Sequence, residues 1–465
     1  MTATSNAPEA QERVLSTLNR DGSRRWIRPK LSKGRHYRRR FVTAWALMAT
    51  FTLIPMIKLG GKPLMLFDIP KREFTFFGAT FLPTDTFLLM TLLFSIFIGI
   101  FLVTAVLGRV WCGWACPQTV YMEFLYRPIE NLIEGGRRQQ LALDESGPNG
   151  RRLLKYVVFF FVSAFLANTF LAYFVGWDRL LGWMTSPPTQ QPAAFAVMLG
   201  TTLLMFFDFT YFREQTCIVA CPYGRFQSVL LDPQSLIVGY DAQRGEERAP
   251  WRKKEKRTAG DCIDCGLCVS TCPTGIDIRD GLQMECIHCT QCIDACDAVM
   301  EKIGLEPGLI SYTSQAELES GKRSFFRPRL VVYSAILLVM FGTFAFSLAG
   351  KSTADVTLLR GLGAPFSVLP SGEISNQIRI KIANRAPEVR SYFIELADID
   401  GVTLVAPENP LTVGAGETEM TGAFVTIPPS AFSDGELVVT LKISDGVDFT
   451  EEIDYRMLGP AGGGS

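Results

Sequence analysis

The sequence predicts an α-helical integral membrane protein with a ferredoxin-like two-cluster segment and a C-terminal immunoglobulin-like β-sandwich. Three observations predict it: uncharged runs long enough to cross a bilayer, two complete cysteine runs between residues 262 and 296, and a cysteine-free tail with strand-like alternation. Thr86 to Gly108, Tyr156 to Trp177 and Leu330 to Gly350 are uncharged runs of 23, 22 and 21 residues. At 1.5 Å per residue each crosses a hydrocarbon core of ~30 Å. Phe41 to Ile57 and a stretch from about Ala193 to Tyr211 complete an expected set of five spans.

Composition bounds the rest. The chain has 465 residues, 46 Lys+Arg and 46 Asp+Glu, which argues against nucleic acid or another polyanionic partner. The balance hides a split, because residues 351–465 hold 8 Lys/Arg against 16 Asp/Glu and the rest 38 against 30. Basic residues crowd the N-terminal segment (Arg24, Arg25, Arg28, Lys30, Lys33, Arg35, Arg38, Arg39, Arg40) and the loop after the second span (Arg137, Arg138, Arg151, Arg152, Lys155). Lys and Arg are retained on the cytoplasmic side, so residues 109–155 and 213–329 are expected inside and the tail outside, in the periplasm of a bacterial inner membrane. The expected domains are a basic cytoplasmic N-terminus (1–40), a four-span membrane domain (41–212), a cytoplasmic two-cluster segment (213–327), a fifth span (328–350) and an external sandwich with a flexible tail (351–465).

Cys262-x2-Cys265-x2-Cys268-x3-Cys272-Pro273 is followed by Cys286-x2-Cys289-x2-Cys292-x3-Cys296. Three thiolates spaced by two residues wrap one face of an iron–sulfur cubane, and the fourth reaches across to the other cluster. Crossed ligation therefore gives one 4Fe-4S site Cys262, Cys265, Cys268 and Cys296, and the other Cys272, Cys286, Cys289 and Cys292. Zinc ribbons use paired C-x2-C units, a pattern these runs overshoot. Gly266 and Gly275 suit a backbone tight enough to aim amide N–H groups at sulfur. Asp297 stands where the first run has proline, and His288 is read as a solvated loop side chain.

The other four cysteines repeat a second pattern. Cys112-Gly-Trp-Ala-Cys116-Pro117 follows the second span and Cys217-Ile-Val-Ala-Cys221-Pro222 the fourth, so each closes a two-span hairpin. Proline suits the first helical position, which makes Cys116 and Cys221 N-cap candidates whose thiolates a helix dipole would favour. Such thiolates suit Cu(I), an exchangeable thiol–disulfide pair or a further iron–sulfur centre, so all four are candidate catalytic and metal-binding residues. Asp208, Arg213 and Glu214 are read as interfacial anchors. Alternating stretches at 377–382, 391–396, 423–427, 436–443 and 449–455, separated by Asp-Gly turns at 400, 434 and 445, predict the sandwich, and Gly462 to Gly464 a flexible end.

This order of features resembles the FixG/CcoG family of cytochrome oxidase accessory proteins. The most specific stretches are Trp111-Cys112-Gly113-Trp114-Ala115-Cys116-Pro117 and Cys221-Pro222-Tyr223-Gly224-Arg225-Phe226-Gln227. The resemblance implies assembly of cbb-type haem–copper oxidases through reduction of Cu(II) to Cu(I), with oxidase subunits or copper-delivery proteins as partners, and hence a cupric reductase. An electron-transfer subunit of another respiratory or nitrogen-metabolism system and a non-redox assembly scaffold are the competing readings. No nucleotide or flavin fingerprint identifies the electron donor.

Overall fold

The computed structural model describes residues 16–18, 23–59, 62–70, 72–77, 79–81, 85–147, 149–252, 259–322, 327–350, 352–386, 388–397, 399 and 401–460. The expected glycine tail at 462–464, Lys351 and the Asp400 turn residue lie outside them. The chain forms two compact units: Met1–Ile57, Leu66–Pro70 and Leu89–Thr343 in one, Lys58–Met65, Lys71–Leu88 and Phe344–Ser465 in the other.

Four helices are long and apolar enough to cross a membrane: Thr86–Leu107, Gly150–Val175, Pro192–Phe212 and Pro328–Ala349. Apolar side chains such as Leu93, Phe161, Leu204 and Leu338 point outward from them, a surface that only lipid stabilises. The expected span at Phe41–Ile57 differs. The helix there runs Arg35–Leu53, begins with Arg35, Arg38, Arg39 and Arg40, and is not among the four. Its apolar portion is shorter than expected because a 3-10 turn at Ile54–Met56, with Pro55 inside, ends it. Phe41, Val42 and Trp45 nonetheless face outward.

The two-cluster segment is framed by an antiparallel strand pair, Ile237–Tyr240 with Ile310–Thr313, and by the helix Gln291–Ile303. The basic N-terminal segment packs onto it. Lys30 N–H donates to Ser270 O (2.8 Å), and the Asp294 carboxylate accepts the backbone N–H groups of His36 (3.0 Å) and Tyr37 (2.7 Å). Those N–H groups open the helix Arg35–Leu53 and have no intrahelical acceptor, so a carboxylate from 258 residues away caps it and complements its dipole.

The second unit holds the sandwich. One sheet orders its main strands Thr403–Val405, Thr418–Ile427, Ile374–Asn384 and Ala354–Arg360; the other orders Leu411–Val413, Arg390–Leu396, Glu436–Ser444 and Thr450–Leu458. Alternate residues Ile378, Ile380 and Ile382 meet Val439, Leu441 and Ile443 in one buried core. All five expected strands are present. Ala354–Arg360, Thr403–Val405 and Leu411–Val413 were missed because they are short or lack clean alternation. In the same unit the Arg385 guanidinium pairs with Asp85 (2.9 Å).

Candidate iron–sulfur sites and the membrane cysteines

Both cysteine runs fold alike. Asp264 and Gly266 flank Cys265, and His288 and Thr290 flank Cys289; all four have left-handed φ, between 52° and 63°. Gly266 meets this need without strain, Thr290 with it. A helix follows each loop, Leu267–Ser270 or Gln291–Ile303. Backbone N–H groups of His288 and Gln291 face the sulfurs of Cys286 and Cys289.

One cavity is lined by Cys262, Cys265, Cys268 and Cys296, the other by Cys272, Cys286, Cys289 and Cys292, with Cys268 touching both. The remaining walls are largely aliphatic, among them Ile276, Ile278, Leu309 and Ile310. Burial pushes the thiols of Cys268, Cys286, Cys289 and Cys296 up to about 12 and that of Cys292 well above its ordinary value. Eight soft donors in two groups around apolar hollows, which ionise only if a cation is supplied, fit iron–sulfur clusters. Among the described residues no three His, Cys, Asp or Glu side chains are placed to hold a single metal ion.

The surroundings of the two sites differ. Cys265 is exposed and Cys262 buried, whereas Cys286 and Cys289 are both buried. His288, expected in solvent, is 1% exposed. Its Nδ1 accepts the Arg109 backbone N–H (3.1 Å), and burial with the Arg109 guanidinium nearby lowers it to about 3, so the ring stays neutral.

The membrane cysteines adjoin this second loop. Cys112 packs against Ile287 and Cys289. Gly113 lies closer still: a Cβ there would stand 2.5 Å from Ile287 O and 2.9 Å from Cys289 Cα. Trp114 Nε1 donates to Tyr312 (2.9 Å), whose hydroxyl donates to His288 O (3.1 Å). The Cys112 thiol donates to Gln227 Oε1 (3.1 Å), and Gln227 Nε2 donates to Tyr223 and Thr104.

Cys116 and Cys221 are the N-caps of the helices Pro117–Tyr121 and Pro222–Leu230, each with proline at the first position, as expected. For Cys116 the expected ionisation does not follow. Burial raises the Cys116 thiol despite the opposing N–H groups of Thr119 and Gln118. Burial likewise pushes Cys217 to about 12, with Cys116, Cys112 and Cys221 adding to the rise. All four thiols thus act on one another.

Arg213 and Glu214 are not interfacial anchors. Both are buried, and Glu130 accepts from Arg213 (2.6 Å), Arg28 (2.6 Å) and Lys155 (3.3 Å). Burial works to raise the Glu130 carboxyl, yet Arg213, Arg28 and Lys155 hold it far below the ordinary range. Arg127, Arg213, Glu214 and Cys217 share a cavity with Pro273 and Ile287 of the cysteine runs. Asp208 accepts from Thr216.

Sequence reasoning gave Arg40, Arg109, Gly113, Gln227 and Asp294 no role at these sites, and His288 only that of a solvated side chain. Only Gly113 carried a signal, a glycine between Cys112 and a tryptophan.

Residues 212–315 match the family model of a 4Fe-4S dicluster domain, residues 89–135 that of a 4Fe-4S binding domain, and residues 344–460 that of the IG-like fold at the C-terminal of FixG. Nitrogen fixation protein FixG of Rhizobium meliloti is 30% identical over 94% of this chain and 94% of its own. Protein RdxA of Cereibacter sphaeroides is 34% identical over 78% of this chain and 80% of its own. A crystal structure of a FixG-related protein from Vibrio parahaemolyticus covers 23% of this chain and 98% of its own, at 17% identity and a TM-score of 0.21. With its apolar helices, paired cysteine runs and C-terminal sandwich, the chain belongs to the FixG/CcoG-like family of membrane-bound iron–sulfur electron-transfer proteins.

Proposed function

We propose that the protein reduces Cu(II) to Cu(I) at Cys112, Cys116, Cys217 and Cys221 for assembly of a cbb-type cytochrome oxidase. In this reading Cys262, Cys265, Cys268 and Cys296 hold one 4Fe-4S cluster, and Cys272, Cys286, Cys289 and Cys292 the other. When bound, the clusters supply one-electron chemistry, one electron for each Cu(II) reduced. The chain's own residues do the rest. The contact of Cys112 with Ile287 and Cys289 carries the reading, because it joins a ligand loop to a membrane thiol without intervening solvent. Exposed Cys265 makes the first run the side open to a donor protein. Soft thiolates prefer Cu(I), which favours reduction of an ion they bind.

The orientation proposed puts both cysteine runs in the cytoplasm and the sandwich in the periplasm, where it would grip oxidase subunits or copper-delivery proteins. Four apolar helices separate Asp85 from Arg385, an even number, and their ion pair supports one side of the membrane for both. Lys/Arg bias supports the cytoplasm for the opposite face.

Purified, dithionite-reduced protein should reduce Cu(II) trapped by a Cu(I)-specific chelator, and Cys116→Ser and Cys221→Ser should each cost nearly as much as the pair together. Wild-type reduction by the double variant overturns the copper site. The match of residues 89–135 to a 4Fe-4S binding model favours one competing reading, a further cluster on the membrane thiols. Iron analysis separates them: about eight irons per chain for two cubanes, about twelve for three.

A further inference from the structure

Arg40 and Arg109 are 1% and 3% exposed, and among the described residues neither forms an ion pair with a carboxylate. Arg40 Nε donates to Gly113 O (2.9 Å), while its Nη1 and Nη2 find no acceptor. Arg109 Nη1 donates to Met284 O, and its Nε has none. A buried guanidinium without a counter-charge is costly, so chains that carry one hold an anion beside it. The candidates for that anion are near. Arg40 acts electrostatically on the Cys289 sulfur, and Arg109 on Cys286 and Cys112. Glu123 faces Cys289 as well, but it is paired with Arg127. The first site has the opposite balance. Its cation, Arg279, is bound to Asp277 (2.6 Å) and Asp264 (2.6 Å), and Asp297 faces Cys296.

We infer that Arg40 and Arg109 are the fixed counter-charges of the site built on Cys272, Cys286, Cys289 and Cys292, and that they set it to the higher reduction potential of the two. The inference rests on the ligand sets proposed above. Four thiolates around a cubane make an anion that gains a further negative charge on reduction, and uncompensated buried cations favour the more negative state. The first site, with its cation already neutralised and a carboxylate at Cys296, gains no such bias. An electron on the chain therefore rests at the site that touches Cys112. Asp294 is the device that places Arg40, since its carboxylate caps the helix on which Arg40 sits one turn later.

The test is a potentiometric titration of the full-length, iron-loaded protein followed by low-temperature electron paramagnetic resonance. Cys292→Ser identifies which of two reducible components belongs to the second site. Arg40→Gln and Arg109→Gln should each lower that component by a tenfold change in its one-electron equilibrium or more, which is 59 mV, and leave the other in place. Arg40→Lys keeps the charge and should restore most of the shift, which also separates charge from loss of the Gly113 hydrogen bond. Should Arg40→Gln fail to load iron, Arg109→Gln and Arg40→Lys carry the measurement. If both components keep their wild-type potentials in the charge-removing variants, or if only the first-site component moves, the inference is overturned. A wild-type protein that binds zinc and shows no reducible component defeats the ligand assignment instead.

Discussion

The two cysteine runs share spacing, loop conformation and a following helix, yet the first leaves one cysteine, Cys265, exposed while none of the second is. At the first run Cys265 is exposed and Arg279 is ion-paired with Asp277 and Asp264. At the second, His288, Gly113, Arg40 and Arg109 close the loop with neutral or uncompensated groups. A ligand motif thus specifies what is bound, whereas distant segments specify how the bound group behaves. The N-terminal helix and the Cys112 loop, each over 170 residues away, do this for the second run.

The largest expected effect tests that asymmetry directly. Cys292→Ser removes a half-buried cysteine of the proposed second site and should halve the iron, from about eight to about four per chain. Cys265→Ser changes an exposed one and should retain more iron than Cys292→Ser under the same purification. Equal losses would break the comparison.

Next comes the ionic cluster behind the second run. Glu130→Gln leaves Arg213, Arg28 and Lys155 buried without their shared carboxylate, and should cost about 3–5 kcal/mol in thermal or denaturant unfolding. Its pH dependence has a definite sign. A carboxyl depressed in the folded state contributes fully above its ordinary value of 4.5, and that contribution drains as pH falls below it toward the folded value. Wild type should therefore lose stability more steeply than Glu130→Gln below about pH 4.5.

Gly113→Ala sharpens the comparison more narrowly. Its Cβ meets backbone at 2.5 Å, so the Cys112 loop and the second run must part, at about 1–3 kcal/mol. Copper reduction should fall at least tenfold while the first-site signal stays unchanged. Gly182→Ala, where a Cβ has open space, is the control.

Arg279→Gln should do least. Its carboxylate partners are partly exposed, so about 0–1 kcal/mol is expected, with no effect on the second-site signal.

Much of the architecture was legible because it is local. Apolar runs mark the membrane-length helices, x2 and x3 spacing marks the cysteines that line the two cavities, and period-two alternation marks the inner faces of the sandwich. Proline after Cys116 and Cys221 marked two helix starts correctly. What was not legible depends on partners far along the chain. His288 read as a solvated residue because nothing in its neighbourhood announces Arg109. Arg213 and Glu214 read as anchors because a charge at a membrane boundary looks alike whether it meets water or a buried partner such as Glu130. The helix at Arg35–Leu53 starts earlier than the expected span for a related reason, since its basic first turn is held by Asp294 and not left as a solvated flank.

The ion pair between Asp85 and Arg385 also constrains how the protein is made. The two residues are 300 apart in the chain. At about 5–20 residues per second the ribosome needs on the order of 15 to 60 s to reach the second after the first. Throughout that interval the segment Lys71–Leu88 has emerged with its own strand pair, Glu73–Phe76 with Ala79–Phe81, while the sandwich strands of its compact unit are still unmade. It must wait for the last apolar helix to be inserted and for the sandwich to follow. A premature stop anywhere before that helix leaves Asp85 without Arg385. Joining of the early loop to the tail is therefore a late step of synthesis, and a chain truncated before the last apolar helix should be cut faster near Asp85 by added protease than the full-length one.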